Sequence, residues 1–172
     1  MISPLSAARQ TRALLACALL CMASAVHAQQ AIELATGVMR VTLDLIDSCS
    51  VSASDLSFGR VQSPSPSSQL GETSLQVRCT RGLGAEVAIE VGLGPGATMQ
   101  ERKMQSGSNV LIYNLYRDSS RSLIWGYAPG INTLSIVGTG VPETIPVYGA
   151  IPPGQVVPAG EYGDIVIVRV FF

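Results

Sequence analysis

Few residues in this chain could do covalent or metal chemistry. The sequence holds four cysteines (Cys17, Cys21, Cys49, Cys79), one histidine (His27) and one lysine (Lys103). A Ser-His-Asp or Cys-His arrangement, or a His-ligated metal, would have to use His27. Schiff-base or Ser-Lys chemistry would have to use Lys103. Cys49 and Cys79 are too far apart for a C-x-x-C redox motif and suit a structural bridge better. The acidic pairs Glu86/Glu90 and Glu161/Asp164 have the residue type of a two-carboxylate glycosidase. Glu86 and Glu90, however, alternate on one face of an expected strand, where solvated carboxylates are the ordinary reading. Gly92-Leu93-Gly94-Pro95-Gly96 is no phosphate loop, because no Lys-Ser/Thr closes it and no helix pattern follows. Trp125 and the tyrosines read as core.

The elements around these residues explain their scarcity. Residues 1–28 read as a secretory signal: Arg9 and Arg12 precede an apolar run from Ala13 to Val26, and Val26-His27-Ala28 offers small residues for cleavage after Ala28. The run is shorter than the ~20 residues that span a bilayer. A lipid anchor fits worse, since Leu20 before Cys21 is bulky and Cys17 follows too short an apolar stretch. Cleavage leaves a single domain over 29–172, 144 residues long. It removes His27, Cys17 and Cys21, so Cys49 and Cys79 remain as a pair in an oxidising compartment. No catalytic, metal or cofactor site is expected, and the chain reads as a non-enzyme. Nine basic residues face twelve acidic ones after cleavage. That balance argues against nucleic acid or an anionic membrane as partner; membrane contact is expected only during export. Charged residues are 13% of the chain, which leaves much neutral surface for a protein partner.

After residue 28 the hydrophobic pattern has period two. Met39, Val41, Leu43 and Leu45 alternate with Arg40, Thr42 and Asp44. Leu75, Val77 and Cys79 share a face, as do Val87, Ile89 and Val91. Residues 109–117 read as a strand buried on both faces, with Val110, Ile112 and Tyr116 opposite Leu111, Tyr113 and Leu115. Shorter strands are expected at 122–126, 133–137 and 144–151. The chain closes on Val166, Val168, Val170 and Phe172. Ser63–Ser68 carries two prolines and reads as a loop, and Gly92–Gly96 and Pro152–Gly154 read as turns. Short strands punctuated by Gly and Pro indicate an all-β sandwich of Greek-key type. Two features do not suit a complete sandwich. Residues 29–37 form a short extension with no evident partner. The last strand is very apolar, and an uncovered edge of that kind is an aggregation hazard.

Several segments together resemble the spore coat protein U domain family, found in subunits of archaic chaperone–usher pili of the Csu type. They are Ala35-Thr36-Gly37 and the alternating stretch into Cys49-Ser50-Val51; Leu56-Ser57-Phe58-Gly59; Leu75–Thr80; Arg102-Lys103-Met104; Leu111–Asp118; Trp125-Gly126; Val147–Pro152; and Gly160–Asp164 with the final strand. The chain departs from the family at Ile165-Val166-Ile167, where members often carry threonines. The resemblance implies an incomplete immunoglobulin-like sandwich completed by a donor strand. A periplasmic chaperone would fill the gap during export through an outer-membrane usher, and a neighbouring subunit would fill it in the fibre. It further implies a secreted, cell-surface pilus subunit supporting adhesion or biofilm formation. The expected donor segment lies within 29–42, with Ile32, Leu34, Val38 and Val41 donated, unless residues 39–45 are the subunit's own first strand. Val166, Val168, Val170 and Phe172 are expected at the chaperone-facing acceptor edge, and Cys49 and Cys79 in the disulfide. A stand-alone secreted β-sandwich, a binding or coat protein, is the alternative.

Overall fold

A computed structural model describes residues 34–172. The expected signal segment and Ile32 lie outside the described residues. The described residues divide after Leu43 into two units. Residues 34–43 contain no helix or strand, and Leu34, Val38, Met39, Val41 and Leu43 are all exposed.

The second unit is all-β. Its strands are β1 (Cys49–Ala53), β2 (Gln69–Cys79), β3 (Gly84–Ile89), β4 (Arg102–Ser106), β5 (Asn109–Tyr116), β6 (Leu134–Val137), β7 (Glu143–Ile151) and β8 (Val168–Phe171). They form a five-stranded sheet, β1-β2-β7-β5-β4, and a three-stranded sheet, β6-β3-β8. Every pairing is antiparallel. Leu75 and Val77 of β2, Val87 and Ile89 of β3, Tyr113 and Leu115 of β5, and Ile145 and Val147 of β7 belong to one buried cluster, so the two sheets share one core.

Several expectations need correction. The regular alternation at Met39–Leu45 forms no strand, although its side-chain pattern suits one. A strand needs a backbone partner as well as a pattern, and β1 begins only at Cys49. β5 is not apolar and buried along both faces: Val110 is exposed and Ile112 half-buried. Residues 122–126 form no strand. They make one isolated bridge, Ile124 to Tyr116, and bury Trp125 completely. The strand β4 gave no period-two signal, and its first residues, Arg102-Lys103-Met104, entered only through the family resemblance. Its inward residues are Arg102 and Met104, and a buried arginine disguises a period-two pattern. β3 stops at Ile89, so Val91 lies outside it.

The disulfide is present between Cys49 and Cys79, which face each other in the β1–β2 register with Cα atoms 4.1 Å apart. That spacing belongs to a non-hydrogen-bonded antiparallel pair. Thr80 accordingly donates its N–H to the Ser48 carbonyl one position away (2.9 Å). β1 is a five-residue edge strand, and the bond ties it to the eleven-residue β2. Replacing both cysteines with serine removes a closed loop of 30 residues. The expected cost is about 3–4 kcal/mol, read as a lowered urea midpoint with β1 amides losing hydrogen-exchange protection first.

Candidate functional site

The candidate site is the seam between the unpaired edges of the two sheets. β1 is an edge of the large sheet and β8 an edge of the small one. The two edges approach each other, with Cα atoms within 8 Å, but neither pairs with the other. Where β1 ends and β8 begins, the seam opens into a cavity of about 260 Å³. Ala53–Leu56 wall one side, Tyr162–Asp164, Val166 and Val168 wall the other, and core residues such as Leu75, Ile89 and Val147 form the floor. Residues that follow β1 therefore face residues that precede β8, so these two strands run antiparallel across the gap.

Hydrogen-bond geometry shows which backbone groups line the seam. Glu90 donates its N–H to the Ile167 carbonyl (2.9 Å), so Ile167 faces β3. In an antiparallel ladder alternate residues turn their backbone groups to opposite edges. Ile167, Arg169 and Phe171 therefore bond toward β3, while Val166, Val168 and Val170 turn their N–H and C=O groups to the seam. On the other edge Ser54 donates to Ser74 (3.1 Å) and Ser48 accepts from Thr80, so Cys49, Val51 and Ala53 turn theirs to it. The side chains of Val166, Val168, Val170, Cys49 and Val51 all pack against the core. Each edge thus offers a strand both backbone partners and half of an apolar channel. Phe172 is placed differently from the three valines: it is exposed beyond the end of β8.

Two local devices shape the channel, and neither was evident in the sequence. On β2 and β7, Gly71 and Gly149 are register partners. Together they form a notch in the sheet that receives Leu56 and Phe58 from the segment after β1. A Cβ on Gly149 would lie 2.8 Å from Phe58 and 3.0 Å from Leu56. Phe58 in turn meets Tyr113 edge-on at 6.3 Å between ring centres. The second device is Asp164. Its Oδ1 accepts the N–H groups of Leu93 (2.8 Å) and Gly94 (3.2 Å), and its Oδ2 accepts the Tyr113 hydroxyl (2.7 Å). Gly92, at φ 93°, lets the turn wrap the carboxylate; any Cβ there would collide with Asp164. The sequence pairing of Glu161 with Asp164 therefore has no acid/base geometry. Asp164 is a brace between the β3–β4 turn and the chain entering β8.

Behind the floor, Arg102 is fully buried without a carboxylate partner. Its guanidinium donates to the carbonyls of Glu90 (3.0 Å), Ile89 (3.1 Å) and Trp125 (2.7 Å), and to the Asn114 side chain. Burial brings its pKa down to about 10, so it stays charged at neutral pH. Burial, followed by the hydrogen bond to Asp164, pushes the Tyr113 phenol up, so it remains a donor. Glu86 is not free in solvent: Ser135 and Thr133 hydroxyls donate to it and hold its carboxyl below the usual range. Glu90 pairs with Arg169. These contacts connect strands and bring no nucleophile or acid/base pair together.

The family model for the Spore Coat Protein U domain matches residues 35–169. This chain belongs to that family. It is 36% identical over 108 residues to Protein U of Myxococcus xanthus, an alignment covering 59% of this chain and 60% of that protein. Among solved structures, it is similar to a chain in the CsuC–CsuE chaperone–tip adhesion subunit pre-assembly complex from archaic chaperone–usher Csu pili of Acinetobacter baumannii. The TM-score is 0.55 at 23% identity, covering 74% of this chain and 40% of that one. The likeness shows the fold, an immunoglobulin-like β-sandwich. The chain thus spans well under two thirds of that solved chain and about 60% of the Myxococcus protein.

Two substitutions test the construction of the channel. Gly149→Ala should force Phe58 from its notch at a cost of about 1–3 kcal/mol, visible as a lower melting temperature and a changed Tyr113 ring environment by NMR. Asp164→Ala should orphan the Leu93 and Gly94 N–H groups and the Tyr113 hydroxyl. A loss of about 1–3 kcal/mol is expected, with exchange protection falling first in the β3–β4 turn.

Proposed function

We propose that this protein is a structural subunit of an extracellular chaperone–usher fibre, assembled by strand addition at the seam between β1 and β8. The carrying observation is that one chain holds both halves of the device. The seam exposes two unpaired strand edges over an apolar channel, and residues 39–45 carry a strand pattern with no partner. An inserted strand gains main-chain hydrogen bonds on both sides and places alternate side chains in the channel.

The lack of a strand at 39–45 also revises the donor register. Ile32, Leu34 and Val38 have one parity and Val41 the other, so the four cannot share one strand face. Met39, Val41, Leu43 and Leu45 can, with Arg40, Thr42 and Asp44 turned outward. In this reading those four residues are the donated set, and Val166, Val168 and Val170 are the acceptor set. Four buried side chains give a gross gain of roughly 6–12 kcal/mol, comparable to the stability of a whole domain. Insertion also has work to do. Two ladder spacings need ~9.6 Å, so an incoming strand must part β1 and β8 where they lie within 8 Å.

A periplasmic chaperone would occupy the seam before assembly, an outer-membrane usher would direct export, and neighbouring subunits would replace the chaperone. Secretion, a place on the cell surface, and a role in adhesion or biofilm formation follow from that assembly. The protein performs no catalytic step in this reading.

The test uses a version beginning at Ile46 and a synthetic peptide covering residues 37–46. Peptide should raise the melting temperature by on the order of ten degrees or more and protect the Val166, Val168 and Val170 amides from exchange. A host that is already stable and indifferent to peptide would instead mean a complete stand-alone sandwich.

A further inference from the structure

We infer that the far end of β1 carries a binding site for an acidic sugar, held by Arg78 and Arg81. The site lies where β1 begins and β2 ends, at the opposite end of β1 from the seam cavity. It goes beyond strand addition and does not depend on it.

A depression of about 310 Å³ opens there, lined by Ser48, Ser50, Arg78, Cys79, Thr80 and Gly140. Its walls are fixed by bonds made elsewhere in the fold. The disulfide holds Cys79 to Cys49. Ser48 donates its N–H to the Thr80 hydroxyl (3.0 Å) and accepts the Thr80 N–H (2.9 Å). The turn at 138–140 is tied to the β2–β3 corner at three points. Gly82 donates its N–H to Gly138 (2.7 Å), Gly138 donates to Leu83 (2.8 Å), and Gly140 donates to Cys79 (3.1 Å).

The two arginines bring positive charge that nothing in the fold consumes. Arg78 donates from Nε to the Gly140 carbonyl (3.2 Å), which sets the plane of its guanidinium. Its two Nη groups find no acceptor among the described residues. Arg81 follows the same turn: a Cβ on Gly140 would lie 3.6 Å from the Arg81 Cβ and 3.9 Å from its Nε. The Arg81 side chain makes no hydrogen bond among the described residues. The ion pair found among them joins Arg169 to Glu90, so neither arginine is neutralised. Asp47 and Glu143 are the carboxylates nearest to the lining along the chain, and neither pairs with Arg78 or Arg81. Glu143 sits opposite Val77 in the β2–β7 register, on the inner face, whereas Arg78 is exposed on the outer one.

The lining decides the ligand class. A guanidinium with free Nη groups takes two oxygens of a carboxylate, sulfate ester or phosphate. The hydroxyls of Ser48, Ser50 and Thr80 both donate and accept, as the hydroxyls of a sugar ring require. No aromatic ring lines the depression, so a nucleobase has nothing to stack on. No long apolar side chain lines it either, which leaves a lipid tail without a surface. Two arginines on a chain with nine basic and twelve acidic residues after position 28 make no basic track for a nucleic-acid backbone. The volume is at the small end of ligand sites, which run from ~300 to ~1,000 Å³, and suits a single sugar unit.

The experiment uses residues 29–172, the chain expected after cleavage, isotope-labelled for NMR with its disulfide formed. Glucuronic acid, N-sulfoglucosamine and glucose-6-phosphate are titrated separately at constant ionic strength, with glucose and sodium sulfate as controls. The expected result is a saturable shift of the Ser50, Thr80 and Gly140 amides and of the Arg78 Nε–H, half-complete at millimolar sugar. The tightest of the three sugars identifies the acidic group. Arg78→Gln should weaken binding about tenfold. Arg81→Gln removes no hydrogen bond from the fold and should also weaken it, which keeps the test decisive if Arg78→Gln disturbs β2. Arg60→Gln, at an exposed arginine between β1 and β2, should leave binding unchanged. The inference is overturned by the absence of a saturable shift with all three acidic sugars, by equal shifts from glucose, or by binding of sulfate ion alone. Binding that survives both Arg78→Gln and Arg81→Gln overturns it as well. The peptide experiment at the seam reads different amides, so either reading can fail while the other stands.

Discussion

The unpaired seam between β1 and β8 is the constraint on which the rest of this structure depends. An antiparallel sandwich buries its inner faces only if every inward residue has a roof. Here a cavity of about 260 Å³ opens along one line, above Leu75, Ile89 and Val147, which are themselves buried. Backbone groups add to the demand, since Val166, Val168 and Val170 on one edge and Cys49, Val51 and Ala53 on the other have no ladder partner across the gap. Under the proposed function both demands have one remedy, an added strand. A small molecule or a helix would supply only part of it.

Opening and filling such a seam requires that the remainder of the domain hold still. The disulfide ties β1 to β2, so the first strand keeps its register even as an edge of five residues. Arg102 joins Glu90, Ile89, Trp125 and Asn114, linking the end of the small sheet to the large one. Trp125 adds its own bonds, donating its backbone N–H to Leu115 (2.9 Å) and its indole N–H to Val87 (2.9 Å). A buried guanidinium is costly unless each donor is satisfied, and the carbonyls collected around it make this region specific. Asp164 performs the corresponding task at the mouth of the channel, where the chain turns into β8.

The segment 39–45 shows how pattern and pairing differ. Its alternation is as regular as that of any strand in the domain, yet the structure leaves it unpaired. The C-terminal residues have the opposite history. Val166, Val168 and Val170 alternate as strongly and do reach the core, but only Val168–Phe171 pair as β8, and Phe172 is left in solvent. β4 showed no strand periodicity because Arg102 occupies an inward position. The Gly71/Gly149 notch was invisible because two glycines 78 positions apart carry no local signal.

By itself, the sequence determined the β class, the Cys49–Cys79 pair, the loop at Ser63–Ser68, the buried Trp125 and the poverty of catalytic residue types. Each of these is fixed by local periodicity, turn chemistry or simple inventory. Tertiary structure alone decided which alternating segments obtain partners, that β1 and β8 border one seam, and that Asp164 and Arg102 are braces. Those outcomes depend on strand order. Backbone hydrogen bonds between strands are made by residues distant in sequence, so no local pattern can reveal which edge is left open.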